Sequence, residues 1–169
     1  DGFSCYDAPS MTTQTQATSS TKTSPVTQAL ETLLAESYAL LAQTHLAHWN
    51  VEGPAFFQLH AAFQTQYEEL FTAIDDIAER IRALDAYAPG GLKTLAKKSS
   101  ITEMTCGSAP AKDFVAHLID SQEIVVSCAT ALRNAAEEHG DLETQDLAIA
   151  RIQTHQKTLW MLKSFLKNL

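Results

Sequence analysis

No stretch of this chain approaches the roughly 18 consecutive apolar residues that a membrane helix requires, although 45% of its 169 residues are hydrophobic. The expectation is a soluble body with no membrane partner. Basic residues are scarce: 12 Lys and Arg face 20 Asp and Glu, for a formal net charge of −8. Phosphate backbones are gripped by clustered Lys and Arg, so this balance excludes a body that binds nucleic acid by general attraction. It suits one whose acids draw cations. Cysteine is nearly missing as well. Cys5, Cys106 and Cys128 are odd in number and form no C-x-x-C pair, which excludes a disulfide framework and reads as ordinary thiols of a reducing compartment. The opening DGFSCYDAPS has neither the basic start nor the apolar stretch of a secretory signal. Met11 reads as the natural start, residues 1–10 as a vector remnant, and the cytoplasm as the default location.

What is present is helical. Residues 11–24, MTTQTQATSSTKTS, offer almost nothing to bury and extend the expected flexible tail over 1–24. Ser24-Pro25 supplies a helix cap and a first-turn proline. Leu30, Leu33, Leu34, Tyr38 and Leu41 then recur at helical spacing as far as about Asn50. Gly53-Pro54 interrupts, and a second apolar stripe from Phe56 through Phe63, Leu70 and Ile77 predicts a helix to about Leu84. A long connection follows, with one short helix expected near Leu92–Lys98, and it should cross the molecule from end to end. Third and fourth helices are predicted over about 110–139 and 142–167, separated at Gly140. No strand pattern competes. Four helices with one long crossover predict an all-α, ferritin-like four-helix bundle over 25–169.

The chemistry concentrates in two places. HLAHWNVEGPAFFQLH, residues 45–60, holds three histidines and a tryptophan, and DDIAER follows at 75–80. Imidazole and carboxylate suit iron, manganese or zinc. Asp75 and Glu79 lie four apart on the second helix, so they share a face, as do His60 and Gln64. Asp75 stands fifteen residues beyond His60, which is roughly 22 Å along a helix axis, whereas a metal–ligand bond spans about 2 Å. The two groups cannot hold one ion within one chain. Either Asp75 and Glu79 are surface residues paired with Arg80 or Arg82 and the histidines are buried polar caps, or the site lies between subunits. In the second case two copies of the second helix run antiparallel across a two-fold axis, and symmetry makes two sites per dimer. Spacing alone leaves both open.

The full string HWNVEG, F-x-x-L-H ending at His60 and D-D-I-A-E-R at 75–80, continued by YAPGG at 87–91 and KTLWMLKSFL at 157–166, closely resembles the Dps family, the DNA-protecting mini-ferritins of starved bacteria. The likeness runs from about residue 25 to the end. It implies a hollow homododecamer built from two-fold dimers, whose intersubunit sites oxidise Fe(II) with hydrogen peroxide or oxygen and pass ferric mineral inside. By that resemblance His48 and His60 of one subunit meet Asp75 and Glu79 of its neighbour, with Glu79 bridging two irons. Trp49 matches a tryptophan near the site, as a shield, a radical trap or a core anchor, and His45 is read as outside the ligand set. The family usually has an acid where this chain has Gln64. A neutral amide is the weaker iron ligand, so one tight iron position and one weak one are expected.

EEHGDLETQDL, residues 137–147, is by itself a solvated turn with acids at a helix N-terminus. In the resembling family this segment surrounds the pores that admit Fe(II), which implies Asp146, with Glu137 and Asp141, as pore acids. Some relatives hold DNA by a basic tail, but the first 25 residues here carry one lysine, Lys22, against Asp1 and Asp7. DNA binding is expected to be weak or absent, and protection to be chemical. Two other functions stay open: a DNA-compacting structural protein, and a zinc- or manganese-binding shell with weak ferroxidase activity. The resemblance places the protein in the bacterial cytoplasm or nucleoid.

Overall fold

The computed structural model describes residues 24–167 apart from 106 and 108. The expected tail over 1–24 and the N-terminal remnant therefore lie outside the described residues, save Ser24, as do Cys5 and Cys106. Five helices occur in chain order: α1 (Pro25–Asn50), α2 (Phe56–Ala83), the short α3 (Leu92–Lys98), α4 (Ala111–Glu138) and α5 (Leu142–Leu166). Each predicted helix is present, with ends within a residue or two of those expected. α1 packs on α2, α3 and α4, and α4 on α5, while α2 and α5 meet over a much shorter stretch. The architecture is the expected all-helical ferritin-like bundle.

The helix ends follow from local chemistry. Ser24 Oγ accepts the Thr27 amide at 3.1 Å, and Pro25 occupies the first turn. α4 ends in the motif that a C-terminal glycine allows: Gly140 takes φ 67°, its amide donates to Glu137, and the Asp141 amide donates to Ala136. α2 ends the same way without a glycine. Asp85 adopts φ 61°, its amide donates to Arg82 O, and the Ala86 amide donates to Ile81 O. A side chain in this left-handed conformation is strained, less so for Asp than for most residues.

The apolar stripes meet in one core that includes Leu30, Leu33, Phe63, Ile77, Leu118 and Leu132, all fully buried. Cys128 is half-buried and packs against this core; burial pushes its pKa up, and the nearby Glu36 charge adds to that. Two buried polar side chains of α1 hold the long crossover. The Glu36 carboxylate, 2% exposed, accepts hydrogen bonds from Ser99 Oγ (2.6 Å), Ser100 N (2.7 Å), Ser100 Oγ (2.8 Å) and Ile101 N (3.3 Å). Two turns further along, Gln43 Oε1 accepts the Met104 amide at 2.9 Å and faces His117 Nε2 at 3.0 Å. Burial lowers the His117 pKa, with Asp120 opposing, so a neutral ring donating its Nε2–H satisfies this contact.

Candidate metal centre

The last turn of α1 and the second turn of α2 face each other across a tight connection in which Gly53 takes φ 99°. That folding-back brings His48 and His60 together, twelve residues apart in sequence. Their rings stack with centroids 3.7 Å apart and planes 20° from parallel. The contact is reciprocal: His48 Nδ1 lies 2.9 Å from His60 O, and His60 Nδ1 lies 2.9 Å from His48 O. A carbonyl only accepts, so each Nδ1 carries the proton. In the neutral rings the lone pair of each then sits on Nε2, the tautomer a metal-ligating histidine needs, with backbone oxygens orienting the rings from behind. The His48 carbonyl can serve because the last turn of a helix has no intrahelical donor for it.

An aromatic surround fixes the pair. Phe56 stacks on the His60 ring at 5.0 Å, and Tyr67 meets His48 edge-on at 5.1 Å. His45 lies between Trp49, stacked at 5.2 Å, and Tyr67 at 4.3 Å. Burial, and then the proximity of His48, lower the His45 pKa. His45 thus packs beside the pair, and Trp49, 68% exposed, covers its outer side without being a core anchor. Tyr67, which bridges His45 and His48, was not singled out from the sequence. It sits in the apolar stripe of α2, and nothing local marks its contact with the histidines.

The carboxylates stand elsewhere, as the axial distance requires. Asp75 and Glu79 are exposed, one turn apart on α2, and neither enters a salt bridge among the described residues. The acids are surface residues and the histidines bond backbone carbonyls, as the surface-pair reading has it, but its arginine partners are taken. Arg80 is engaged by Asp141 at 2.7 Å and Thr144 Oγ1 at 2.7 Å, and Arg82 donates to Ala86 O at 2.7 Å and covers the Tyr87 ring. Asp75 borders an apolar hollow of about 320 Å³ walled by Leu34, Tyr38, Leu41, Phe71 and Ile74 of α1 and α2. Phe71 is 71% exposed there. An exposed aromatic side chain beside an apolar hollow is the kind of patch that can meet another protein surface. No set of three or more His, Cys, Asp or Glu side chains converges among the described residues of the single chain.

Gln64 is exposed on α2, and its Nε2 donates to Glu68 Oε1 at 2.8 Å. Its own oxygen is left to accept or to ligate, with a carboxylate held one turn away that sequence reading did not pick out. Of the acids expected at a pore, Glu137 and Asp146 are exposed. Asp141 is committed: it caps α5 through the Thr144 amide (3.0 Å) and hydroxyl (2.6 Å) and pairs with Arg80. Burial works to raise the Asp141 pKa, but the Thr144 hydrogen bonds and the Arg80 charge outweigh it and hold the carboxyl below its ordinary range.

Comparison with known proteins fits this layout. A ferritin-like domain model matches residues 27–169. A DNA protection during starvation protein of Helicobacter pylori is 32% identical over 81% of this chain and 95% of its own length. A second such protein, from Bacillus anthracis, is 33% identical over 83% of this chain and 96% of its own. The crystal structure of the Dps protein of Vibrio cholerae, a member of a superfamily of ferritin-like diiron-carboxylate proteins, superposes with a TM-score of 0.80. It shares 33% identity and covers 83% of this chain and 88% of that one. With a ferritin-like match across the whole bundle and about one residue in three shared with proteins of this kind, the chain belongs to the Dps family of mini-ferritins.

Proposed function

We propose that the protein is a ferroxidase and iron store: a hollow dodecamer of two-fold dimers that oxidises Fe(II) with hydrogen peroxide or oxygen and keeps the ferric product inside. The observation that carries this is the reciprocal His48–His60 pair, whose stacked rings each use Nδ1 on a backbone oxygen and keep the lone pair on Nε2. Asp75 and Glu79, unpaired on an exposed face of the same helix, supply the complementary half. Each site takes His48 and His60 from one subunit and Asp75 and Glu79 from its neighbour. Iron is the substrate: two Fe(II) each give one electron, the O–O bond of peroxide breaks, and with two protons two waters form. Carboxylates stabilise the ferric product more than the ferrous reactant, because the charge they face has risen. Gln64 contributes a neutral oxygen, so the second iron position is the weaker. Glu137 and Asp146 are the acids of the entry pore; Asp141 shapes that turn through Arg80 and Thr144.

The protein protects DNA by removing iron and peroxide, in the bacterial cytoplasm, and not by holding DNA. Twelve copies of a chain carrying −8 repel a polyanion at physiological salt. The test is anaerobic Fe(II) loading followed by a peroxide pulse, in wild type and His60→Ala. Fast ferric absorbance in the first and its loss in the second support the reading. No absorbance in wild type, with tight zinc or manganese binding, favours the metal-binding shell instead, and a mobility shift of DNA that survives about 150 mM salt favours compaction.

A further inference from the structure

Glu68 and Glu69 are neighbours on α2 with different commitments. Glu69 turns toward α5, where the buried Arg151 guanidinium binds both of its carboxylate oxygens and the pair forms a charged spacer between the helices. Arg151 is held in turn by His155 Nε2 at 2.9 Å, and His155 by Gln122 Oε1 at 2.6 Å. Glu68 enters no salt bridge among the described residues. Its carboxylate accepts Gln64 Nε2 at 2.8 Å, one turn back along the same helix. His60, Gln64 and Glu68 fall at four-residue steps, so they follow one another down a single stripe of α2, each step a rise of roughly 6 Å. Gln64 stands in the middle, between a ring that the proposed site uses and a carboxylate that it does not.

The bond to Glu68 decides which end of the amide is presented. A carboxylate accepts and does not donate, so the end that Gln64 turns to it is the NH2. The carbonyl end, Oε1, accepts no hydrogen bond among the described residues. Oxygen is the only atom of an amide that ligates a hard cation, and an NH2 turned toward one repels it. An untethered glutamine on an exposed helix face shows either end. Tethered by its nitrogen, it shows the oxygen, and donation to a charged acceptor draws electron density onto that oxygen. A carboxylate at position 64 has no need of such help, because it presents an oxygen whichever way it turns.

We infer that Glu68 is a positioning residue for the weaker iron position: it holds the Gln64 amide by its nitrogen and so presents the carbonyl oxygen to Fe(II). This rests on the proposed shared site and accounts for how a neutral side chain serves there. Glu68 does not itself touch iron and acts only through Gln64.

The test titrates Fe(II) anaerobically into the assembled protein and reads both affinities by calorimetry, with no turnover. Glu68→Ala should weaken the second position about fivefold, the factor that one net hydrogen bond contributes, and leave the tight position unchanged. Glu68→Gln, which keeps an acceptor oxygen at the same reach, should recover part of that loss. With Gln64→Asp in place, Glu68→Ala should weaken the second position less than about twofold. An unchanged second position in Glu68→Ala overturns the assignment, and so does Glu68→Gln no better than Glu68→Ala. Equal loss at both positions, or the full loss retained over Gln64→Asp, also overturns it, because Glu68 would then act as a distant charge and not through the amide. A wild type with no second position overturns it together with the proposed site, whereas a second position that ignores Glu68 overturns it alone.

Discussion

Two inactive chains should make an active pair. Take one variant with His48 and His60 replaced by alanine and another with Asp75 and Glu79 replaced by alanine. Each homodimer lacks half of every site and should oxidise Fe(II) at the background rate. Fifteen residues of α2 separate His60 from Asp75, roughly 22 Å along the helix, so no side-chain movement lets one chain complete a site on its own. In a mixed dimer the histidines of the second variant meet the acids of the first, and one of the two symmetric sites is intact while the other has lost everything. Random mixing makes about half of the dimers mixed, each with one of its two sites, so co-refolded equal amounts should recover about a quarter of wild-type activity. The assay is the initial rate of ferric absorbance after a peroxide pulse, at matched protein concentration and with assembly checked by size. Recovery indistinguishable from the unmixed variants would refute the shared-site argument, and so would substantial activity in either variant alone.

Replacing Glu36 by alanine leaves Ser100 N, Ile101 N and two hydroxyls without their buried acceptor; unfolding in urea should show a loss of about 3–4 kcal/mol, from the value of hydrogen bonds to a charged group. Gln64→Asp should tighten the second Fe(II) position and speed oxidation several-fold, measured by anaerobic Fe(II) titration; two equally tight positions in the wild type would contradict the reasoning. Asp85→Gly relieves the side chain from φ 61° and should raise stability by about 0.5–1 kcal/mol, read from the denaturation midpoint. Burial and then the Arg151 charge hold the folded His155 pKa down to about 3, against the ordinary 6.5 of an unfolded chain. The unfolded chain therefore binds the extra proton between those values, and stability falls as pH drops below 6.5. The loss due to this residue should reach about 2 kcal/mol at pH 5, and His155→Gln should flatten the urea midpoint against pH over that window.

Local signals wrote much of this molecule. Ser24-Pro25, the stripe from Leu30 to Leu41, Gly53-Pro54 and Gly140 each act within a turn or two of themselves, and the helices begin and end where those residues place them. The separation of the histidines from the acids was legible for the same reason: position along a helix converts directly into distance, and His60 and Asp75 are fixed on one rod. What the sequence left open depended on pairs distant in the chain. Whether Arg80 would neutralise Asp75 or Glu79 was decided by Asp141 and Thr144, more than sixty residues away, whose helix cap gives the guanidinium two acceptors at 2.7 Å. The α2 terminus carried no glycine to announce itself, and Asp85 supplies the left-handed turn because the hydrogen bonds around it offset the strain. The hold of Glu36 on the crossover joins residues about 63 apart, and the Glu69–Arg151 spacer joins residues 82 apart. Only the packed bundle brings such partners within hydrogen-bond reach. Periodicity determined a four-helix bundle and the separation along α2 of His60 from Asp75 and Glu79. Tertiary structure decided which charged groups are already satisfied, because their partners lie far away in the chain.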